Sequence, residues 1–261
     1  VIFSLIDPDK RVNGKGKKIL KKNYLEVKSG MLKNKTKVYY EGYILNRQEN
    51  RPKIILKLAM TKDNYITLKR GQRTKITNSI SDKYSDTLRS EVDAILVGSK
   101  TVSIDNCILK CKMPSLINNS PTRIVLNRKL DLNTNSKIFE NCKRFKTILF
   151  TSNTSKKLIK NYEKKNVEVI FLKQEDYTLV NILKKLSDFG ISNLLVEGGG
   201  KIFKSFFKEN LFDYIYIFRS NFFSGIKNKR FSEAKIDVSN FKLLKNYVKQ
   251  FGDDSLEIYK N

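Results

Sequence analysis

The chain has 261 residues, 40% of them hydrophobic and 30% charged, a globular composition with material for one large domain or two small ones. No apolar run reaches the roughly 18 residues of a membrane span. The opening VIFSLIDPDKR lacks the basic lead-in and long apolar core of a signal peptide, so a soluble cytoplasmic protein with no membrane partner is expected. A net charge of +26 attracts phosphates or nucleic acid, but the lysines are scattered (KKILKK, MLKNKTK, KNYEKK, GIKNKR) rather than gathered into a stripe. Lysine, asparagine and isoleucine are abundant together, so compositional bias is the preferred account and no nucleic-acid partner is expected.

The chain opens on Val1 in what reads as a strand, so an upstream part is expected to be missing. VIFSLI is followed by the turn-rich DPDKRVNGKG, where Pro8, Gly14 and Gly16 break regular structure. KKILKKN reads as a short helix and LEVKSG as a short strand. In MLKNKTKVYYEGYILNR, Leu32, Val38, Tyr39 and Tyr43 fall near helical spacing. This leading segment, residues 1–48, is too small for a complete core, and RQENRPK (47–53) reads as a linker.

From Lys53 onward, short apolar runs alternate with helical stretches. The strand candidates are IILKLA (54–59), DAILVG (93–98), RIVL (123–126), TILFT (147–151), VEVIF (167–171) and NLLVE (193–197). Near-continuous Ile, Leu and Val suits strands covered on both faces. Helices are expected over 78–92, 155–165, 178–189 and 201–209. DYIYIFR and SLEIYK alternate and suggest antiparallel strands at the end. The result is an α/β domain with a mostly parallel sheet flanked by helices.

Three stretches could carry chemistry. In VEGGGKIFKSFF, a strand ends at Glu197, three glycines follow, and a helix begins near Lys201. Glycines let backbone approach an anion, and a helix start presents unpaired N–H groups. A ligand-free turn is the competing reading, against which Glu197 counts, because an acid at a strand's C-terminal end faces the crevice where α/β sheets bind ligands. In DAILVGSKTVSIDN, Thr101 and Asp105 suit hydrogen bonds to a cofactor, or equally helix capping and a turn. In KIILKLAMTKDNYITLKRGQRTKITNS, a strand carrying Lys57 leads to a loop with Thr61, Asp63, Arg73 and Lys75, and Arg89 lies on the next helix. Arginine forks suit a phosphoester, although singly each is more often a surface charge.

The chain has no histidine, and its three cysteines, Cys107, Cys111 and Cys142, are too few for a disulfide framework. Cys107 and Cys111 are four apart with nothing to complete a zinc site, so no metal site is expected here. Neither a Ser–His–Asp nor a Cys–His arrangement is available. No side chain is singled out as a catalytic acid or base.

The blocks KLAMTKDN, KITNS, DTLRS, DAILVGSKTVSIDNC, RIVLN and VEGGG, in this order, resemble the reductase domain of riboflavin-biosynthesis deaminase/reductases. The likeness runs from about Arg51 to Gly225. It implies a dihydrofolate-reductase-like fold, NADPH as cofactor, and reduction of the ribosyl group of 5-amino-6-(5-phosphoribosylamino)uracil to a ribityl chain. By position, it places Ala59, Lys75, Thr101, Asp105, Gly199, Gly200 and Lys201 against NADPH. It places Arg73, Arg89, Leu109, Lys112 and Glu197 around the substrate. Three positions depart from the family pattern: Lys75 stands for an aromatic residue, Lys112 for an arginine and Asn127 for an aspartate.

DPDKRVNGKG resembles the end of the same proteins' cytidine-deaminase-like domain. The implied division is residues 1–48 as a deaminase remnant and 49–261 as the reductase, within a bifunctional protein whose zinc ligands lie upstream of Val1. A homodimer is expected on the same likeness. The competing classes are a basic nucleic-acid-binding protein and a degenerate, inactive reductase.

Overall fold

The computed structural model describes residues 1–69, 72, 74–226 and 235–261. The chain divides into two compact units, one of residues 1–53 with 182–193 and one of residues 54–181 with 194–261.

The first unit holds β1 (Ile2–Phe3), α1 (Lys15–Lys22), β2 (Lys28–Ser29), α2 (Lys33–Tyr39) and α3 (Glu41–Glu49). Its two short strands pair in parallel. The long helical pattern expected over 31–47 is broken into α2 and α3, which meet at Tyr40. Helix α3 runs on through Glu49 and β3 begins at Lys53, so the connection is residues 50–52 rather than the longer linker expected. Gly42 is required where it stands, because a Cβ there would lie 2.6 Å from the Ser192 carbonyl and 2.5 Å from Asn193 Oδ1. One turn later, the buried Asn46 amide donates to Ser187 Oγ (2.7 Å) and to the carbonyl of Ile191 (3.1 Å). A polar anchor of this kind stands where the apolar core is thin; Tyr24 and Tyr39 remain 99% and 87% exposed.

The second unit is built on one sheet. In chain order its elements are β3 (Lys53–Met60), α4 (Ser79–Ser90), β4 (Ala94–Gly98), α5 (Ser99–Asp105), β5 (Thr122–Leu126), β6 (Thr147–Thr151), α6 (Lys156–Glu163) and β7 (Glu168–Phe171). There follow α7 (Leu179–Asp188), which crosses from one unit to the other, β8 (Asn193–Val196), α8 (Gly200–Lys208) and β9 (Tyr214–Arg219). The chain closes with β10 (Lys242–Leu243), β11 (Lys249–Phe251) and β12 (Asp254–Lys260). The strand order is β10-β12-β9-β3-β8-β4-β5-β6-β7, with β11 beside β12.

All six apolar runs become strands, and the pairs β8–β4, β4–β5, β5–β6 and β6–β7 are parallel. β12 is antiparallel to β9 as its alternation suggests, whereas β9 also pairs in parallel with β3. SKTVSID forms the helix α5 rather than a turn. Central strands are buried along nearly their whole length, Ala94 to Val97 being an example, because parallel strands with helices on both faces see no water. Asn78 starts α4 by accepting from the N–H groups of Ile80 and Ser81.

Arg123 on β5 is fully buried among these apolar side chains. Its guanidinium donates to the carbonyls of Phe145 (2.7 Å), Glu140 (3.2 Å) and Ile108 (3.3 Å). No carboxylate pairs with it among the described residues, its Nε has no partner there, and burial lowers its affinity for the proton. It ties three loop segments to the sheet.

Candidate functional site

The C-terminal ends of the parallel strands are where an α/β sheet opens a ligand crevice. At the end of β8 the chain places Glu197, whose N–H donates to the Leu96 carbonyl (3.0 Å) and so stays in register with β4. The carboxylate is almost wholly buried. It receives a forked pair of hydrogen bonds from Arg89 on α4, Nε to Oε1 at 3.2 Å and Nη2 to Oε2 at 3.0 Å. The third guanidinium nitrogen is taken by Asp86, one turn earlier on α4. Arg89 is thereby fixed in plane between two acids, a geometry that a lysine could not reproduce.

Lys57 on β3 completes the cluster, with its Nζ 5.1 Å from the centre of the Phe218 ring. Burial lowers the Lys57 ammonium below its ordinary value; Glu197, Asp82 and Asp86 act against this and Arg89 acts with it. Burial would raise the Glu197 carboxyl, but Arg89, Lys57 and Lys112 hold it below the usual carboxylate range. Burial thus weakens the hold of Lys57 on its proton, while the neighbouring cations favour the charged form of Glu197. Beside them, burial and the neighbouring Glu197 and Asp105 push the Cys107 thiol up to about 12, so it is no nucleophile at neutral pH.

The glycine loop follows directly. Gly198 sits at φ +139°, and a Cβ there would come within 2.8 Å of Thr101 Oγ1. The Gly199 N–H donates to that same Thr101 oxygen at 3.2 Å, which stitches the start of α8 to α5. Gly199 itself faces open space. Helix α8 has no side-chain cap and no acid in its first turn, so its leading N–H groups and positive dipole end are available to an anion.

The sequence-derived residues are brought together to different degrees. Arg89 and Glu197 are joined directly, and Thr101 and Gly199 are joined directly. Gly200 opens α8 with Lys201 exposed beside it, Asp105 ends α5, Lys112 is exposed but within electrostatic reach of Glu197, and Ala59 lies near the end of β3 opposite Phe218. Lys75 is exposed and pairs with Asp82 at 3.6 Å. Leu109 has a left-handed backbone (φ +56°) and packs into the buried core with Val97 and Val125. Arg73 lies outside the described residues.

Three residues of the cluster went unassigned in the sequence. Lys57 is the one charge interrupting IILKLA and was legible as such. Asp86 stands three residues before Arg89 on the same helix face. Gly198, rather than Gly199, carries the backbone constraint, and nothing in a glycine triplet marks which member does so. Asn127 is a turn residue: with its amide turned to satisfy both groups, it donates to Asp131 Oδ1 (2.7 Å) and accepts from the Leu132 N–H (3.3 Å). Among the described residues no group of three or more His, Cys, Asp or Glu could hold a metal ion, and no helix is long and apolar enough to cross a membrane.

Comparison with known proteins adds to this geometry. The family model described as the RibD C-terminal domain matches residues 52–256. The riboflavin biosynthesis protein RibD of Aquifex aeolicus is 31% identical over 264 residues, covering 100% of this chain and 72% of that protein. RibD of Chlamydia muridarum is 29% identical over 213 residues, 81% of this chain and 57% of that protein; the chain therefore spans only part of each relative. The Thermotoga maritima diaminohydroxyphosphoribosylaminopyrimidine deaminase/5-amino-6-(5-phosphoribosylamino)uracil reductase superposes with a TM-score of 0.81 at 28% identity, over 100% of this chain and 70% of that one. Acinetobacter baumannii RibD shares the fold with a TM-score of 0.86 at 23% identity, over 100% and 72%. The mostly parallel, dihydrofolate-reductase-like sheet carries a paired acid and arginine beside a glycine-started helix, and the chain that builds it belongs to the RibD C-terminal domain family of riboflavin-biosynthesis proteins.

Proposed function

We propose that this chain is an NADPH-dependent reductase that converts the ribosyl group of 5-amino-6-(5-phosphoribosylamino)uracil to the ribityl chain. The observation that carries the reading is the buried Lys57–Glu197–Arg89 cluster one loop away from an uncapped, acid-free helix start. The glycine loop fits a dinucleotide: Gly199 leaves room that a side chain would fill, and Gly198 and Thr101 hold the loop in place. Gly199, Gly200 and Lys201, with Thr101, Asp105, Ala59 and Lys75, would hold NADPH, which supplies the hydride when bound.

The chain's own residues do the rest. Delivery of hydride to the ribosyl C1 breaks its bond to the ring oxygen, and that oxygen needs a proton. Lys57 Nζ holds a proton that burial makes easier to give. Glu197 stays a carboxylate that can accept hydrogen bonds from the sugar, and Arg89 keeps it in one orientation. Arg73 and Lys112 are proposed for the charged end of the substrate, and Leu109 supports that wall from the core. No step requires histidine. Deamination is proposed only for a longer protein that carries the zinc ligands this chain lacks, with residues 1–48 as the end of that domain and 49–261 as the reductase. A cytoplasmic homodimer belongs to the same proposal.

The test is direct. The chain should bind NADPH saturably and, with the aminouracil phosphoriboside, oxidise NADPH while forming the ribityl product in equal amounts. Tight, steeply salt-dependent RNA binding with no affinity for NADPH would instead favour a nucleic-acid role.

A further inference from the structure

The candidate site lies at the C-terminal ends of the strands, and the opposite edge of the sheet carries a cavity of its own. It has a volume of about 600 Å³ and lies between the connection from β5 to β6 and the turn from α6 to β7. Lys143, Lys164 and Lys165 line it against a single carboxylate, that of Glu140. Lys165 Nζ donates across the gap to Asn135 Oδ1 at 3.4 Å, which joins the two walls. Neither Lys143 nor Lys164 has an acid partner among the described residues. The nearby Glu168 is already taken by Lys146 at 3.0 Å.

Lysines at a helix end can serve the helix alone, because its last carbonyls favour cations, and that would account for Lys164 and Lys165 at the end of α6. Two observations go further. Lys143 comes from a different segment and lines the same space. Behind the wall stands the fully buried Arg123, whose Nη2 lies 3.5 Å from Cys142 Sγ and 3.2 Å from the Glu140 carbonyl oxygen, both residues of the lining. A buried cation that no acid neutralises is costly unless a counter-charge comes near it, and this one backs a cavity that is itself positive. The volume falls in the range of small-molecule sites, roughly 300–1,000 Å³, and exceeds what a lone phosphate fills. Flexible ammoniums from two walls act as separate point charges, which suits the several oxygens of a diphosphate. Arg123 is the second residue of β5 and Lys143 lies just before β6. The cavity is therefore about 15 Å, the length of a five-residue strand, from the strand ends that form the crevice.

We infer that this basic cavity is a second anion site, separate from the crevice, that binds a small molecule carrying a diphosphate group, with Lys143, Lys164 and Lys165 on its oxygens and the Arg123 charge behind them. It stands independently of the dinucleotide site proposed above.

The probe is inorganic pyrophosphate, titrated calorimetrically into the whole chain at about 0.15 M salt, where exposed charges are screened beyond roughly 8 Å, with and without saturating NADPH. A saturable site should persist when NADPH is present. Lys143→Ala combined with Lys164→Ala should weaken pyrophosphate by at least about tenfold and leave NADPH affinity and the melting temperature as in wild type. Lys21→Ala combined with Lys22→Ala removes the same charge from exposed positions on α1 and should leave pyrophosphate binding unchanged. Equal weakening by the two double variants would reduce the effect to general surface charge and overturn the site. Absence of pyrophosphate binding, or its loss when NADPH is added, would do the same. If pyrophosphate fails while a short RNA binds and is weakened by the Lys143 and Lys164 changes, the cavity serves nucleic acid and the small-molecule assignment is overturned. Pyrophosphate binding that follows this pattern in a chain with no affinity for NADPH would sink the cofactor reading and leave the second site standing.

Discussion

Arg89 and Arg123 sit in the same unit, both mostly or wholly removed from water, and are satisfied in opposite ways. Arg89 lies between two carboxylates, Asp86 and Glu197, on the crevice side of the sheet. Arg123 lies in the core among the carbonyls of Ile108, Glu140 and Phe145, with no acid bonded to it among the described residues. An acid-paired guanidinium has its charge cancelled and defines a plane for neighbouring groups. One bound by carbonyls spends its terminal nitrogens on holding loops together. Buried charge alone therefore does not identify a site; the partner's identity and its place on the sheet do.

The sharpest way to break this contrast is to truncate each arginine's environment in turn. Arg123→Ala removes the donor of three carbonyls, that of Phe145 in a buried bond, and opens a cavity, and should cost about 3–5 kcal/mol of stability. Chemical denaturation would measure it, and folded protein should keep its dinucleotide affinity. A loss below about 1 kcal/mol would mean that the carbonyls find other partners.

Glu197→Gln should act the other way, cutting turnover by about 10²-fold while costing only about 1–2 kcal/mol, because Asp86 still pairs with Arg89. The pH dependence separates the two effects. Glu197 is held below its ordinary value of 4.5, so its contribution to stability is complete above that pH and is lost as pH falls through the lowered folded value. Denaturation curves of wild type and Glu197→Gln should therefore converge as the solution is acidified. Curves that stay parallel would show that Glu197 carries no such contribution.

The glycine loop offers the finest distinction. Gly198→Ala should destabilise by about 1–3 kcal/mol, since it forces a side chain into a left-handed backbone and against Thr101. Gly199→Val should leave stability nearly unchanged, because that position faces open space, and should weaken NADPH. Paired measurements of melting and cofactor titration would show the two effects exchanged if the neighbouring glycines have each other's roles.

Much of this molecule is readable from its residues. Short runs such as TILFT and RIVL, uninterrupted by polar groups, have few options other than buried strands. Glu197 and the glycines after it declare a strand end and a helix start. Less legible is whatever depends on contacts between segments distant in sequence. Arg89 meets Glu197 across 108 residues, and no local pattern records that meeting. Leu109 looks like a pocket residue by position, yet its left-handed backbone turns it into the core. The helix over 99–105 was hidden because Ser, Thr and Asp compete locally for the backbone, while the fully buried Leu96 and Val97 fix where β4 ends and α5 must start.

The position of β3 in the sheet also bears on how the chain folds as it is made. Its neighbours are β8 and β9, and the Ile54 N–H waits for the carboxylate of Asp213, 159 residues later. At ordinary translation speeds that is roughly 8–30 s during which an apolar strand has no ladder to join. Pairings so remote in sequence also slow folding once the chain is complete. The earliest-synthesised strand of the large sheet is thus among the last to find both neighbours, and IILKLAM is the segment a ribosome-associated chaperone would have most reason to cover.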